Sequence, residues 1–296
     1  MRPWLKLRTS EWVLIGFFAY VAGLSVFFPE RPGLSFQPAL LLVGVSALLW
    51  LLAQFERIGG RSRQVSIVRD WLPLGLTLIA FREMELFLPM RFGHRLESEW
   101  IAWDLRILSE WHLRNVIESL GGLIPFILEL SYLLVYGAGF FCIALLYAQG
   151  RRDRVDRFMT VYLTGTLLAY ALFPYFPSEP PRILFPQLDA PQITSWVRRV
   201  NLWILNVGTI HLGVFPSAHV SSAFSAAWGL FQVLEGRKTL GWILLVYAAT
   251  LSVATVYGRY HYAIDVLAGI GVSLIAGLLC LLGSTQQLYP AKNASV

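Results

Sequence analysis

Charged residues are scarce in this chain of 296 amino acids. Asp, Glu, Lys and Arg together make up 14% of it, whereas a soluble globular domain carries about 25%. Hydrophobic residues make up 56% of the chain. This composition excludes a disordered chain, a nucleic-acid-binding module and most soluble enzymes, and it predicts a polytopic membrane protein.

Cysteine is also scarce. The only two, Cys142 and Cys280, lie in separate apolar runs. They form neither a disulfide framework nor a metal-ligand spacing, so we expect no metal site. The sequence also contains no internal repeat and no Gly/Ser-rich linker, which favours one helical membrane domain.

What the chain does have is long apolar runs. A transmembrane helix needs about 20 mostly apolar residues. Candidates lie at about 12–28, 38–54, 71–88, 120–147, 158–176, 214–234, 240–257 and 262–282. A basic stretch before the first run leaves a cleaved signal peptide open, but the length of that run and the lack of a clear A-x-A-like cleavage site favour a retained helix. We therefore expect an all-α bundle of about eight transmembrane helices.

The expected organisation has three parts. Residues 1–60 hold two N-terminal transmembrane helices, 61–285 form a six-helix core, and 286–296 are a C-terminal tail. Within the core, tryptophans recur at helical spacing near residues 97–118. This pattern predicts a helix that lies in the membrane interface with its tryptophans at headgroup depth.

Basic residues indicate the orientation of the bundle. Lys and Arg exceed Asp and Glu by 24 to 18, a net charge of +6. Many of the basic residues fall in four segments, namely 2–8, 57–69, 151–157 and 237–238. With eight spans these segments share one side, which the positive-inside rule makes cytoplasmic. Both termini are then expected to be cytoplasmic, in an inner or plasma membrane of the bacterial type.

The first polar segment on the opposite side follows the fifth predicted span. Its prolines, Pro177, Pro180 and Pro181, cannot continue a helix and predict a rigid turn. That turn presents Arg182 near the membrane surface. Arg182 is then either a ligand for an anionic group or an arginine that snorkels from a helix end.

The second segment opens the sixth span with Pro216, Ser217 and His219. Free backbone N–H groups and the helix dipole at such a helix start favour an anion. A hydroxyl and an imidazole would stand beside that anion. The alternative is that Ser217 only caps the helix and that His219 is an interfacial polar residue.

The third segment opens the eighth span. His261 and Asp265 are four residues apart and share a helix face, so the carboxylate can fix the imidazole tautomer. An acid inside an apolar span costs about 2.5–3.5 kcal/mol at mid-depth and usually has a partner. Arg259 lies two residues before this histidine.

Together, the three segments suit phosphoryl transfer. Arginine and backbone N–H groups hold phosphate oxygens, one histidine attacks phosphorus, and the other protonates the leaving oxygen. A transporter with a His–Asp proton relay is the alternative from another class. The basic loops are not arranged in two mirrored halves, and no pair of interrupted apolar runs occupies corresponding positions. Both observations disfavour a transporter.

These residues also resemble a known family. The P-S-A-H segment at 216–219, followed by H-x-x-x-D at 261–265, is similar to motifs of the type 2 phosphatidic acid phosphatase superfamily. The spelling F-P-S-A-H-V, with P-P-R upstream, is closer to the branch of inositol phosphorylceramide synthases and their bacterial relatives. The resemblance covers about residue 71 to the C-terminus.

The resemblance implies a role for each site residue. His261 would be the nucleophile that forms a phosphohistidine, Asp265 would orient it, and His219 would be the general acid. The residues implied to bind the substrate phosphate are Ser217, Arg182 and Arg259. The resemblance implies no metal and no cofactor.

Two departures from the superfamily pattern concern the residues that would bind phosphate. Where that pattern has Ser-Arg before its second histidine, this sequence has Ala254 and Thr255. The K-x-x-x-x-x-x-R-P segment is absent, and the P-P-R segment that ends at Arg182 is the candidate to replace it.

The expected function is that of an integral membrane phosphotransferase acting on lipid phosphate esters. It would move a phospho-headgroup, inositol phosphate among the candidates, to a lipid acceptor at the extracytoplasmic face. The alternative is a phosphatase that hydrolyses a phosphatidate-like or polyprenyl-phosphate-like lipid. The expected partners are a phospholipid or other lipid phosphate and the bilayer itself, with no nucleic acid.

Other ionisable residues lie within the predicted spans. Arg82 and Glu85, with Glu83 between them, predict either an ion pair or a headgroup site. Glu129 begins a stripe with Tyr132 and Tyr136 that would line the same cavity or form a packed seam. Arg198 and Arg199, near two tryptophans, predict an interfacial helix that contacts lipid headgroups.

Overall fold

The computed structural model describes residues 7–27, 36–58, 62–88, 93–208, 210, 212–234 and 236–288. Over these residues the chain forms helices and a single isolated bridge between Ser178 and Gly213. The helices are α1 (Thr9–Ser25), α2 (Gln37–Ile58), α3 (Ser62–Glu83), α4 (Arg95–Leu105), α5 (Leu113–Ser119), α6 (Leu123–Leu134), α7 (Ala138–Ala148), α8 (Val155–Leu172), α9 (Pro181–Leu184), α10 (Trp196–Gly208), α11 (Ala218–Val233), α12 (Lys238–Tyr257) and α13 (Ala263–Leu288).

Every predicted span coincides with a helix, and the fourth corresponds to α6 and α7 joined by a 3₁₀ turn. Five spans are long and apolar enough to cross a membrane: Gln37–Ile58, Leu123–Ala148, Arg152–Tyr175, Lys238–Tyr257 and Ala263–Gly283. The helix α1 is apolar but has only 17 residues. The all-α membrane bundle is therefore confirmed, whereas spanning by α1, α3 and α11 stays a prediction.

The helix α11 has 16 residues and is largely enclosed by other helices. It packs against α8, α12 and α13, and most of its residues are buried. Small residues allow the close approach to α8: the Ser221 hydroxyl donates to the Gly165 carbonyl over 2.8 Å. A Cβ atom on Gly165 would lie 1.9 Å from the Ser225 hydroxyl oxygen. Such small-residue contacts are typical of helix pairs in membranes.

The basic segments that the structure describes gather at one end of the bundle. Arg8, at the start of α1, and Arg152, before α8, both bind Asp70 near the start of α3, over 2.6 and 2.7 Å. Arg69 binds Glu11 of α1 over 2.6 Å. These ion pairs connect α1 to α3 and α3 to the segment before α8, and they agree with the predicted common side.

The segment predicted to be one interfacial helix consists of two. A π-helical turn (Arg106–Glu110) follows α4, and His112, in the left-handed region with φ 55°, separates that turn from α5. Trp103 and Trp111 are exposed, whereas Leu108 is fully buried. A position in the membrane interface stays a prediction. At the other end of the chain, α13 continues three residues into the predicted tail, and 289–296 lie outside the described residues.

Candidate active site

The three polar segments meet at the end of the bundle opposite the Asp70 ion pairs, because α3 and α8 each run from those pairs to this end. Backbone hydrogen bonds hold the segments together. The Arg182 amide donates to the Arg259 carbonyl over 3.1 Å, and the Ser217 amide donates to the Asp265 carbonyl over 2.9 Å. The first segment is thus held to the third, and the third to the second.

The two histidines face each other across a short gap. Their ring centroids are 5.8 Å apart, with the planes inclined by 60°. His219 lies in the first turn of α11, where the buried Ser217 is the N-cap and its hydroxyl oxygen accepts from the Val220 amide. His261 immediately precedes the start of α13. Both rings line one cavity.

Asp265 holds the ring of His261 in place. One of its carboxylate oxygens lies 3.3 Å from Nδ1 of His261 and also accepts the Tyr262 amide over 2.8 Å. With Nδ1 directed at this carboxylate, Nε2 is the ring nitrogen that we assign to the chemistry. Burial, and then the charges of His219 and Arg182, lower the pKa of His261 well below its usual value. The ring is therefore neutral near pH 7, as a nucleophile requires.

Arg182 lies in the same cavity as the two rings. Burial lowers its pKa, but a guanidinium is so basic that it stays protonated. Within the part of the chain that the structure describes, no hydrogen bond or ion pair engages its guanidinium. The guanidinium of Arg182 lies beside two histidines and has no carboxylate partner in that part of the chain, which favours an anionic ligand there.

Arg259 is placed differently. It is 2% exposed, and its Nη1 binds a carboxylate oxygen of Asp104 over 2.6 Å. It does not line the cavity that holds the histidines. Phosphate binding by Arg259 therefore stays a prediction, and the geometry favours Arg182. The sequence held no sign of the Asp104 partner, which lies in a distant helix.

The cavity has a volume of about 480 Å³, within the range of about 300–1,000 Å³ usual for ligand sites. His219, His261 and Arg182 provide its polar end. Another part of the cavity is mostly apolar and aromatic. Its side chains come from α3, α7, α8 and the turn after α8, namely Leu74, Leu78, Phe81, Phe140, Tyr162, Tyr170 and Phe173. An anionic head group with an apolar chain matches this division.

Two tyrosines of the predicted stripe contact the first histidine. The ring of Tyr132 stacks on His219 with centroids 5.2 Å apart and planes 22° apart. Tyr136 packs edge-on against the same ring at 5.3 Å. Both line the cavity, as one of the two alternatives predicted. Their direct contact with His219 could not be read from the sequence.

Glu129, the third member of the stripe, belongs to a buried network behind the cavity. Its carboxylate accepts from Arg198 over 2.7 Å, from the Tyr260 hydroxyl over 2.6 Å and from the Asn201 amide over 2.8 Å. Arg198 therefore faces the protein interior, whereas contact of α10 with lipid headgroups stays a prediction. The guanidinium of Arg198 is buried against a carboxylate, which stabilises the charge inside the protein.

The remaining ionisable groups predicted within a span lie at the end of α3 and in the turn after it. Arg82 is half exposed, lies 4.0 Å from Glu85 and also lines the cavity, so both predicted alternatives remain open for it. Glu83 is buried and accepts from the Gln37 side chain. Among the residues that the structure describes, no cluster of His, Cys, Asp and Glu could hold a metal ion.

Two known proteins are similar to this chain. A 189-residue stretch is 25% identical to a PA-phosphatase related-family protein of Dictyostelium discoideum, over 55% of this chain. The chain covers only 32% of that relative's length. The crystal structure of Aquifex aeolicus LpxE aligns at 21% identity with a TM-score of 0.43, over 58% of this chain and 94% of that one.

A family model described as the PAP2 superfamily matches residues 101–279, more than half of the chain. The matched range includes Arg182, both histidines of the cavity and Asp265. None of these findings distinguishes the inositol phosphorylceramide synthase branch, which stays a prediction. The chain is an integral membrane protein that belongs to the PAP2 superfamily.

Proposed function

We propose that this protein cleaves a lipid phosphate ester through a phosphohistidine on His261. The observation that carries the proposal is the pair of facing rings beside the unpaired Arg182 at the polar end of a largely apolar cavity. Phosphoryl transfer depends on positioning and on charge stabilisation, and this site offers both.

The first chemical step forms the phosphohistidine. Nε2 of His261 attacks phosphorus while the bond to the leaving oxygen breaks, and His219 gives that oxygen a proton. Asp265 stabilises the positive charge that develops on the attacking ring. Arg182 and the backbone N–H groups at the start of α11, which Ser217 caps, hold the phosphate oxygens.

The second step releases the phosphate. His219, now neutral, takes a proton from an incoming acceptor, whose oxygen attacks phosphorus as the P–N bond to His261 breaks. When the acceptor is water, the product is inorganic phosphate. The name of the Dictyostelium relative, a PA-phosphatase related-family protein, supports hydrolysis. The lipid would be phosphatidate-like or polyprenyl-phosphate-like. Hydrolysis is therefore our first candidate reaction.

Transfer to a lipid alcohol is the second candidate. It is favoured by the spelling F-P-S-A-H-V, with P-P-R upstream and H-Y-x-x-D downstream. In that reaction a phospho-headgroup, for example inositol phosphate, would pass to the alcohol. The same residues serve both reactions. His261 carries phosphate in hydrolysis and the phospho-headgroup in transfer, and that group then passes to water or to the alcohol as the P–N bond breaks.

We also propose that the site faces the extracytoplasmic side. The histidines lie at the end of the bundle opposite Arg8, Arg69 and Arg152, and the positive-inside rule makes a basic end cytoplasmic. A cysteine introduced at Gly213, which lines the cavity, would then react with an impermeant thiol reagent from outside intact cells. Labelling only after lysis would contradict this orientation.

The decisive experiment offers purified protein a panel of lipids. Phosphatidic acid, undecaprenyl phosphate and phosphatidylinositol are each supplied with and without diacylglycerol or ceramide, and the products are measured by mass spectrometry. Phosphate release identifies hydrolysis, and a new phospholipid that needs the alcohol identifies transfer.

Two histidine variants make this experiment specific. His261→Ala should lower turnover at least about 1,000-fold, because the nucleophile is lost. The matched control is His112→Asn, since His112 is exposed and asparagine tolerates its positive φ. Wild-type turnover in the folded His261→Ala protein would contradict the proposal. Flux of a lipid into vesicles without product formation would support a transporter instead.

A further inference from the structure

One face of α4 contacts all three segments of the candidate site. Glu97, Trp100 and Asp104 are spaced by three and four residues and therefore lie on the same side of this helix. Both carboxylates are fully buried, a position that Asp and Glu almost never take unless they are paired. Each of the three side chains contacts a different part of the site.

Asp104 contacts the chain on both sides of His261. One carboxylate oxygen binds Nη1 of Arg259 over 2.6 Å, and the other accepts the Ala263 amide over 2.9 Å. Arg259 lies two residues before the histidine and Ala263 two residues after it. Arg259 also has a φ of 62°, a conformation that non-glycine residues hold only where their surroundings impose it.

Trp100, one turn earlier on α4, contacts the segment that leads to His219. Its ring stacks on Phe215 with centroids 5.2 Å apart and planes inclined by 25°. It also packs edge-on against Tyr262 at 5.6 Å. Phe215 precedes the P-S-A-H segment, and Tyr262 follows the second histidine. Trp100 therefore lies between the two histidine segments.

Glu97 completes the set at the segment of the phosphate arginine. Its carboxylate accepts the Glu179 amide over 3.1 Å. Glu179 lies three residues before Arg182, within the proline-rich turn. One helix, α4, thus contacts all three segments that provide site residues.

We propose that α4 is the positioning element of this site, with Asp104 as its central positioning residue. The helix aligns His261 with His219 and Arg182 without contacting the substrate. The inference rests on the proposed function, because it concerns the rate at which the phosphohistidine forms. A displacement of about 1 Å at a catalytic group can lower a rate about 100-fold.

Rapid-quench measurement of the phosphohistidine tests this role. The probe is ³²P-labelled dioctanoyl phosphatidic acid in detergent micelles, mixed with the full-length protein. The burst amplitude reports the fraction of competent sites, and the burst rate reports their alignment. A purely structural role would lower the amplitude and leave the rate unchanged.

Asp104→Asn is the main variant. Asparagine keeps the size and can still accept the Ala263 amide, but it loses the ion pair with Arg259. We expect the burst rate to fall about 100-fold at a wild-type amplitude. The matched control is Trp103→Ala, on the exposed side of the same helix, and its burst should match the wild type.

Trp100→Leu tests the same inference with the ion pair intact. It removes the ring contacts with Phe215 and Tyr262, so its burst rate should also fall. This variant decides the question if Asp104→Asn does not fold. Wild-type burst rates in the variants, or lower amplitudes alone, would overturn the positioning role and leave the proposed function standing. A wild-type protein that turns over this lipid without forming a phosphohistidine would overturn both.

Discussion

The two ends of this bundle use arginine in opposite ways. At one end, Arg8, Arg69 and Arg152 each bind a carboxylate from another helix. At the other end, Arg182 lies in a cavity without a carboxylate among the described residues. Paired arginines connect helices, whereas an unpaired one beside two histidines is available for a ligand. Substitutions at the two ends should therefore have different consequences.

The largest effect is expected at the unpaired end. Arg182→Gln should lower kcat/KM for the lipid phosphate about 1,000-fold, because a donor to the transition-state phosphate is lost. Thermal stability should change little, since no ion pair is broken. Arg199→Gln, on the exposed side of α10, is the charge-matched control. A destabilised Arg182→Gln protein of normal kcat/KM would remove the contrast between the two ends.

The paired end should show the reverse behaviour. Arg69→Met leaves the fully buried Glu11 without its main partner, so we expect a loss of about 3–5 kcal/mol in the free energy of unfolding. Denaturation in detergent measures this loss, and kcat/KM of the folded fraction should stay unchanged. Arg57→Met, at an exposed position of α2, removes the same charge and should cost much less. Equal stability of the two variants would contradict the structural role of this ion pair.

A smaller effect is expected on the pH dependence of kcat/KM, and it too should differ between the two ends. Because the pKa of His261 is lowered, the ring stays neutral at pH values below the usual histidine pKa of about 6.5. As pH falls through the lowered pKa, the ring takes up a proton and the nucleophile is lost. The acid limb of kcat/KM should therefore lie below pH 6.5. Arg182→Gln removes a nearby positive charge and should move that limb to higher pH.

Arg69→Met is the control for this pH profile, because Arg69 lies at the far end of the bundle. Its acid limb should coincide with that of the wild type. Movement of the limb by both variants alike would mean that the profile reports global stability and not the charge near His261.

Local patterns in the sequence predicted much of this site. Apolar runs indicated the helices, because a run of about 20 such residues needs a helix to satisfy its backbone in a bilayer. The spacing of His261 and Asp265 predicted their contact, since residues four apart lie side by side on a helix. Pro216 and Ser217 likewise indicated the start of α11.

Contacts between residues far apart in the sequence could not be predicted. Arg198 and Arg259 looked like surface or phosphate-binding arginines, yet each binds a buried carboxylate of another helix. The partners, Glu129 and Asp104, are far away along the chain. No periodicity relates such pairs, because they depend on how the helices pack.

The sequence by itself determined the helical membrane class, the candidate histidines and the basic side of the bundle. These properties follow from composition and from spacings within one or two helical turns. Only the tertiary structure decided which arginine lies free in the cavity, and that α4 holds the three site segments. Burial and charge pairing over long separations are properties of the packed bundle, since each helix acquires its neighbours only when the chain folds.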